Sequence, residues 1–340
     1  QSILSTVMRQ KVEWQKEATK LFGQGNAKEA LEIYGNYGSF KFVEQGLPNI
    51  KSLLDQKDRG SLESFYKTSK SHAGWTWNRM SLDLEARGIV PGSSAFFEQI
   101  KSHFLYGFYD YWRDYRTDSA LALQNLGIDV QTLKLDSIEK FDTHKSAKEE
   151  LIKAWVLGQT ENPKESQLIL AHTNKDVDHL NTLARNALKG AGLLPQNQDI
   201  SLTITREKEN DFGKRTLESK VQSFCKGDRI IFLKNDRGLD LKSGTVGYIT
   251  AITQENVKAE ILDEKGTKRE ISFSPNLYRN FDLGWAMNIQ KSQGQTVDRT
   301  YVLASLHMYQ NLIYVALTRH RQDVQFFASK EEFFGHEHLI

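Results

Sequence analysis

The chain has 340 residues, too many for one simple domain and enough for two to four smaller units. Its 45 basic and 43 acidic residues leave a formal charge of +2, which excludes a global nucleic-acid charge signature, so any DNA binding must come from a local groove. Cys225 is the sole cysteine, which rules out an internal disulfide, and with no long uncharged apolar run the chain is expected to be cytoplasmic, with no membrane partner.

In chain order, the first signal is an apolar stripe of Ile3, Leu4, Val7, Val12 and Trp14, broken by Met8-Arg9-Gln10-Lys11, which predicts helix. Residues 37–146 are dense in aromatics: Phe96, Phe97, Phe104, Tyr106, Phe108, Tyr109, Tyr111, Trp112 and Tyr115. They predict the core of a helical insertion, with base stacking beside Lys101, Arg113 and Arg116 as the alternative; Trp75 and Trp77 pose the same choice. A helix is expected from Ala147 to Val156, with Leu151, Ile152 and Trp155 facing in and Lys148, Glu149, Glu150 and Lys153 facing out. Ser166-Gln-Leu-Ile-Leu-Ala then reads as a buried strand that ends in the polar loop His172-Thr173-Asn174, and Asp176 to Ala191 reads as an amphipathic helix. Strand, polar turn and helix begin a parallel α/β sheet, whose functional groups belong beyond the strand's C-terminal end. From Ile200 to Phe273 the period changes to that of short strands, with a hairpin turn at Asp263-Glu-Lys-Gly266, and a small antiparallel barrel is expected.

The last part, Ala286 to Ser329, alternates three apolar runs with two polar loops. The runs are strand candidates or buried helix turns. The loops, Gln290-Lys291-Ser292-Gln293-Gly294 and Thr318-Arg319-His320-Arg321, gather donors beside a glycine and at the end of an apolar run, which suits phosphate oxygens. No G-x-x-x-x-G-K followed by Ser or Thr occurs, and no apolar strand ends in Asp-Glu, so the cradle for a nucleotide's β-phosphate and the hydroxyl ligand for magnesium are missing. No His or Cys is spaced to join His172 at a metal.

K-S-Q-G followed by Y-V-A-L-T-R resembles motifs V and VI of superfamily-1 DNA helicases, in the form found in RecD-like enzymes and in TraA-type conjugative relaxases. Ser-Thr-Val-Met-Arg-Gln resembles motif IV, L-I-L-A-H-T-N resembles the opening strand of the second RecA-like domain, and F-C-K-G-D-R-I-I-F-L-K-N-D-R-G resembles the SH3-like insertion. The resemblance implies an α/β, P-loop NTPase-like fold: the second RecA-like helicase domain, with a parallel sheet, an inserted SH3-like β-barrel and an inserted helical segment. It divides the chain into a helical connection with motif IV (1–36), the insertion (37–146), the first part of the RecA-like domain (147–200), the barrel (201–275) and the remainder with motifs V and VI (276–340).

By the same resemblance Arg319 is an arginine finger and Arg9 a second phosphate-directed arginine, with Gln10, Gln293 and Gly294 lining the nucleotide cleft. His172, Thr173, Asn174, Gln290, Lys291 and Ser292 would meet single-stranded DNA, joined by Lys234 and Arg237 on the barrel, whose loops also carry Arg229, Asn235 and Lys242. Relatives often carry His where this chain has Gln290. ATP and Mg2+ are implied, bound mainly by an upstream RecA-like domain expected before Gln1. Together these imply part of a bacterial 5′ to 3′ DNA helicase for conjugal transfer. A RecD-like repair helicase fragment and a catalytically dead DNA-binding remnant stay open beside it.

Overall fold

A computed structural model of the chain describes residues 9–43, 145–209, 215–262, 267–305, 308 and 310–330, and between 44 and 144 only 56–58, 60–62, 64, 81–82, 84–86, 88–99, 123–124 and 126–128. It forms two compact units, Gln1–Ser39 with Lys148–Phe326 and Phe40–Ala147 with Phe327–Ile340.

The larger unit begins with two helices, α1 (Glu13–Gly23) and α2 (Ala27–Asn36). In α2 the buried residues Ala27, Ala30, Leu31 and Tyr34 recur at the spacing of one helix face. In the smaller unit, strand β1 (Phe40–Val43) accepts a hydrogen bond at the Val43 carbonyl from the Lys330 N–H at 2.9 Å. Phe96 and Phe97 are buried there and pack edge to face at 6.0 Å. The aromatics from Phe104 to Tyr115, Lys101, Arg113, Arg116, Trp75 and Trp77 lie outside the described residues, as does the expected turn at Asp263–Gly266.

Helix α3 (Lys145–Glu161) buries Leu151, Ile152 and Trp155 as expected. Lys148 corrects the expectation: it is 2% exposed, with Nζ 2.8 Å from the Asp176 carboxylate. Positions 148, 151, 152 and 155 share one helix face, so a cation there must go inward with a partner. Strand β2 (Gln167–Ala171) is buried at every residue, the mark of a strand covered on both faces. Helix α4 (Asn174–Gly190) follows it.

An antiparallel hairpin comes next, β3 (Ile200–Glu209) with β4 (Arg215–Phe224). The strands β5 (Arg229–Phe232), β6 (Val246–Ile252), β7 (Val257–Leu262), β8 (Lys268–Phe273) and β9 (Phe281–Leu283) form an antiparallel sheet in the order β8-β7-β6-β5-β9. This sheet ends at Leu283, past the boundary expected at 275.

The chain then returns to the first sheet through β10 (Ala286–Asn288), β11 (Val297–Leu303), helix α5 (Gln310–Leu317) and β12 (His320–Ser329). Strand order in the larger unit is β12-β11-β2-β10, and β2 pairs in parallel with both β10 and β11. The apolar run Leu312–Leu317 is helix, not strand: Leu312, Ile313, Val315, Ala316 and Leu317 are all buried, and a helix apolar all round is an interior one. Asn181 of α4 satisfies both backbone groups of Ala286 on the short strand β10, donating to its carbonyl at 3.0 Å and accepting from its N–H at 2.8 Å. Among the described residues no helix is long and apolar enough to cross a membrane.

A buried ion pair fastens the antiparallel sheet to α4. Arg185 Nε donates to both oxygens of the fully buried Asp228, at 3.0 and 2.8 Å, while its other nitrogens reach Asp199. Asp228 also accepts from the Cys225 N–H at 2.7 Å. Burial alone would lower the Arg185 pKa, but the Asp199 hydrogen bonds and the Asp228 charge raise it above the usual arginine value. Gly284 lets this junction close, since a Cβ there would sit 2.9 Å from the Ile230 carbonyl carbon.

Two stability measurements test this core. Asp228→Ala leaves the Arg185 charge and the Cys225 N–H short of a partner, and should cost about 3–5 kcal/mol in urea unfolding. Asp228→Asn, which keeps an acceptor, should cost less. His320, fully buried at the start of β12, has its pKa pulled down to about 3 by burial and then by the Arg9 charge, against an opposing Leu317 carbonyl. A depressed folded pKa means stability is complete above the unfolded value near 6.5 and is lost as pH falls towards 3, by about 1.4 kcal/mol per pH unit. Urea midpoints measured from pH 7.5 to 4.5 should fall more steeply for the native protein than for His320→Phe; equal slopes would mean that His320 titrates normally.

Candidate functional site

The site has two parts at opposite ends of the parallel sheet. Because β10 and β11 both run parallel to β2, the segments leaving the C-terminal ends of β2 and β10 emerge side by side. These are His172-Thr173-Asn174 and Gln290–Gly294. The Ile289 N–H donates to the Ala171 carbonyl at 3.0 Å, and the Asn288 side-chain amide donates to the His172 carbonyl, tying the two loops together.

Each predicted residue of these loops has a definite environment. His172 is half-buried, with Nδ1 buried and unpartnered; burial lowers its pKa against the opposing Asp176 charge, so the ring is neutral at pH 7. Thr173 is the N-cap of α4: its hydroxyl accepts from the Asp176 N–H at 3.0 Å and donates to the Asp176 carboxylate at 2.6 Å. Asn174, Gln290 and Lys291 are exposed. Ser292 is fully buried and its hydroxyl donates to the Ile289 carbonyl at 2.6 Å, so it shapes the single 3-10 turn Gln290–Ser292 from inside. Gln293 and Gly294 are exposed, and Gly294 has φ +87°, a left-handed conformation that suits glycine.

Asn174 and Lys291 open onto a cleft of about 920 Å³ within the larger unit, whose other wall includes Lys234 and Arg279 beside the antiparallel sheet. Lys175, Asn280 and Asn288 also line it, none of which the sequence singled out. Arg206 in the cleft is neutralised by Asp178 at 2.6 Å and Glu218 at 3.0 Å, and Lys220 pairs with Asp282 at 2.9 Å. Lys175, Lys234, Arg279 and Lys291 have no ion-pair partner among the described residues, against one such anion in the cleft, Glu207. The cleft therefore carries an uncompensated positive charge suited to a polyanion. Arg237 is exposed on the neighbouring turn and does not line it.

At the other end, the N-terminal segment lies along the C-terminus of α5. The Lys11 N–H donates to the Arg321 carbonyl at 2.9 Å, and Gln10 Nε2 donates to the His320 carbonyl at 3.2 Å. Arg9 donates through Nη1 to the Thr318 carbonyl and through Nε to the Thr296 hydroxyl at 2.9 Å. Arg319 turns back on its own helix, Nε to the Val315 carbonyl and Nη2 to the Thr318 hydroxyl, both at 2.9 Å. Helix C-terminal carbonyls lack intrahelical partners and carry partial negative charge, which explains why cations gather there. Neither guanidinium has a carboxylate partner among the described residues. Burial and then the Arg9 charge pull the Arg319 pKa down to about 10, and burial lowers Arg9 as well. Both stay charged at pH 7 in surroundings that an incoming anion would relieve.

Thr296, a further residue the sequence did not flag, links the two ends. Asn288 stands level with Ala171 and Arg299 with Gln167, so the chain between them, which includes Gln290 to Thr296, returns along at least four residue steps of β2, roughly 13 Å. It starts at the cleft and finishes on Arg9.

No protein-family profile matches the chain. It is similar to the probable conjugal transfer protein TraA of Sinorhizobium fredii, 36% identical over 205 residues that make up 60% of this chain and 17% of that protein. It is also similar to the conjugal transfer protein TraA of Agrobacterium fabrum, 32% identical over 300 residues, 87% of this chain and 22% of that protein. Among solved structures, one of two coordinating Pif1 helicases at forked double-stranded DNA overlaps 59% of this chain and 49% of that chain, with a TM-score of 0.37 and 19% identity. The chain is a homologue of the TraA conjugal transfer proteins, and it spans 17% to 22% of the length of these two.

Proposed function

We propose that this chain is the second RecA-like domain of an ATP-dependent superfamily-1 DNA helicase within a conjugative relaxase, with the antiparallel strands as its SH3-like insertion. The observation that carries this reading is the meeting of Arg9 and Arg319 at Thr318 with no carboxylate among the described residues to neutralise them. Planar, permanently charged forks placed where phosphoryl charge develops are what an arginine-finger site requires. Gln293 and Gly294 face the same nucleotide, while Gln10 holds the segment that carries Arg9.

The chain's own residues cover only this part of the chemistry. Among the described residues no group of three or more His, Cys, Asp or Glu is placed to hold a metal ion. The cradle for ATP, and any ligands for magnesium, belong in this reading to an upstream RecA-like domain.

Single-stranded DNA takes the cleft, its phosphates on Lys175 and Lys291 with Asn174 beside them, and on Lys234 across the gap, while His172 lies on the adjoining loop outside the cleft lining. The segment Gln290–Thr296 couples the two ends, since movement of Arg9 towards a phosphate pulls on Thr296 and shifts the Lys291 turn along the strand. Translocation from 5′ to 3′ follows from the family resemblance alone.

In the full-length protein, Arg319→Ala should lower DNA-stimulated ATP turnover by ~1,000-fold. Affinity for single-stranded DNA should change by less than about twofold. Unchanged turnover would remove Arg319 from the reaction. Lys291→Ala should weaken DNA binding and reduce the slope of log affinity against log salt by about 0.7, the share of one phosphate contact on a single strand. An unaltered slope would place the backbone elsewhere.

A further inference from the structure

Two of the most exposed large apolar side chains among the described residues open onto the same cleft as the unpaired cations. Leu277 is 91% exposed and Leu217 is 72% exposed, and both line it. Leu277 does not sit on a slack loop. Its neighbour Tyr278 is buried, packs on Phe232 and Phe273 at 6.0 and 5.7 Å, and donates its hydroxyl to the Lys234 carbonyl at 2.7 Å. The Leu277 N–H donates to the Ser274 carbonyl at 3.1 Å, and the Arg279 carbonyl accepts from the Thr205 N–H at 2.8 Å. Leu217 is held in register on β4, opposite Glu207 of β3. The hairpin is pinned to α4 and β9 by Arg206 and Lys220 with Asp178 and Asp282. Both leucines are therefore fixed towards water at the mouth of a positively charged cleft.

Cations alone would suit any polyanion. Rigid apolar groups beside them suit one whose backbone is charged and whose other edge is a series of flat, largely apolar faces, which describes single-stranded nucleic acid with its bases unstacked. We propose that Leu277 and Leu217 are base-contacting residues: the strand lays its phosphates on the Lys175 and Lys291 side and turns its bases onto the two leucines. Such contacts read no sequence, because every base has an apolar face. This inference rests on the reading of the cleft as a DNA site and adds the direction in which the bases point.

The test compares two fluorescent oligonucleotides of equal length and charge, oligo-dT and its abasic counterpart, bound by the full chain at fixed salt and followed by anisotropy. The native chain should prefer oligo-dT by roughly tenfold or more, the order that full burial of one large apolar side chain contributes. The Leu217→Ala/Leu277→Ala variant should bind both as the native chain binds the abasic strand. Leu277→Lys should tighten the abasic strand while reducing the preference. Circular dichroism checks that each variant is folded, which is expected because both side chains stand in solvent. A double-alanine variant that keeps the native preference overturns the role of the leucines. Lys175→Ala/Lys291→Ala should weaken both oligonucleotides equally; if it weakens neither, or if the native chain binds neither, the cleft is not a DNA site and both readings fall. An acidic, apolar peptide that displaces oligo-dT from the native chain but not from the double-alanine variant would mean a protein ligand and also overturn the proposal.

Discussion

The contact between Arg185 and Asp228 fastens the antiparallel sheet to α4, and so one wall of the cleft to the other. One wall of the cleft belongs to α4 and the loops that leave β2 and β10, the other to the antiparallel sheet and the β3–β4 hairpin. Arg206 and Lys220 of the hairpin add further ties to Asp178 of α4. Asp228 is fully buried, takes two oxygens' worth of hydrogen bonds from Arg185, and holds the Cys225 N–H at the entry to β5. Arg229, the next residue, donates across to the Gln167 carbonyl at the start of β2 at 2.9 Å. A pair of charges taken out of water in this way adds little net stability compared with an apolar replacement, but it is costly to half-remove. That asymmetry suits a joint between two sheets, since sliding one wall against the other would strand a buried charge.

A fixed cleft at one end of the sheet and an arginine cluster at the other need a connection that neither is free to ignore. The segment from Gln290 to Thr296 has both ends tied: Ser292 is fastened from below to Ile289, and Thr296 accepts from Arg9. Gln295 reaches the Gly244 carbonyl at 3.3 Å, which adds the antiparallel sheet to the same segment. Gly294, in its left-handed conformation, is the one position along it where the backbone reverses. A short segment held at both ends with a single pliant residue between them passes a displacement on, where a long loop would absorb it.

Much of this arrangement was legible in the residues, and the failures have physical reasons. The strand Gln167–Ala171, the helix after it and the alternating strands from Arg229 to Phe273 follow from period and burial. The ordered pair K-S-Q-G and Y-V-A-L-T-R singled out Lys291 and Arg319 as candidates, because both sit in short motifs of neighbours in sequence. Lys148 was misplaced because composition says lysine faces water, whereas its partner Asp176 comes from another helix. Ser292 reads as a polar loop residue but spends its hydroxyl on the turn, and Thr173 spends its own on the cap of α4. Strand β4 was not singled out because its less exposed positions include the polar Glu218, Lys220 and Gln222 while Leu217 and Val221 face water, so its alternation carries no apolar signal. Arg279 and Asn280 have no motif around them; only the fold brings them to Lys234.

The setting of Arg319 bears on how the guanidinium of the proposed finger can be both held and available. A carboxylate partner would fix the guanidinium firmly and would also neutralise it, leaving a phosphate to compete with a resident anion. Here the partners are a helix-end carbonyl and a hydroxyl, which orient the fork through its hydrogen bonds but supply only partial charge. The positive charge thus remains uncompensated, and burial first and the Arg9 charge second hold the Arg319 pKa down at about 10. In the proposed role, a site poised in that way would bind a phosphoryl oxygen when it is presented and return to carbonyl and hydroxyl partners when it leaves. For a helicase domain of the kind proposed, incomplete neutralisation suits release of nucleotide on every step better than tight pairing would.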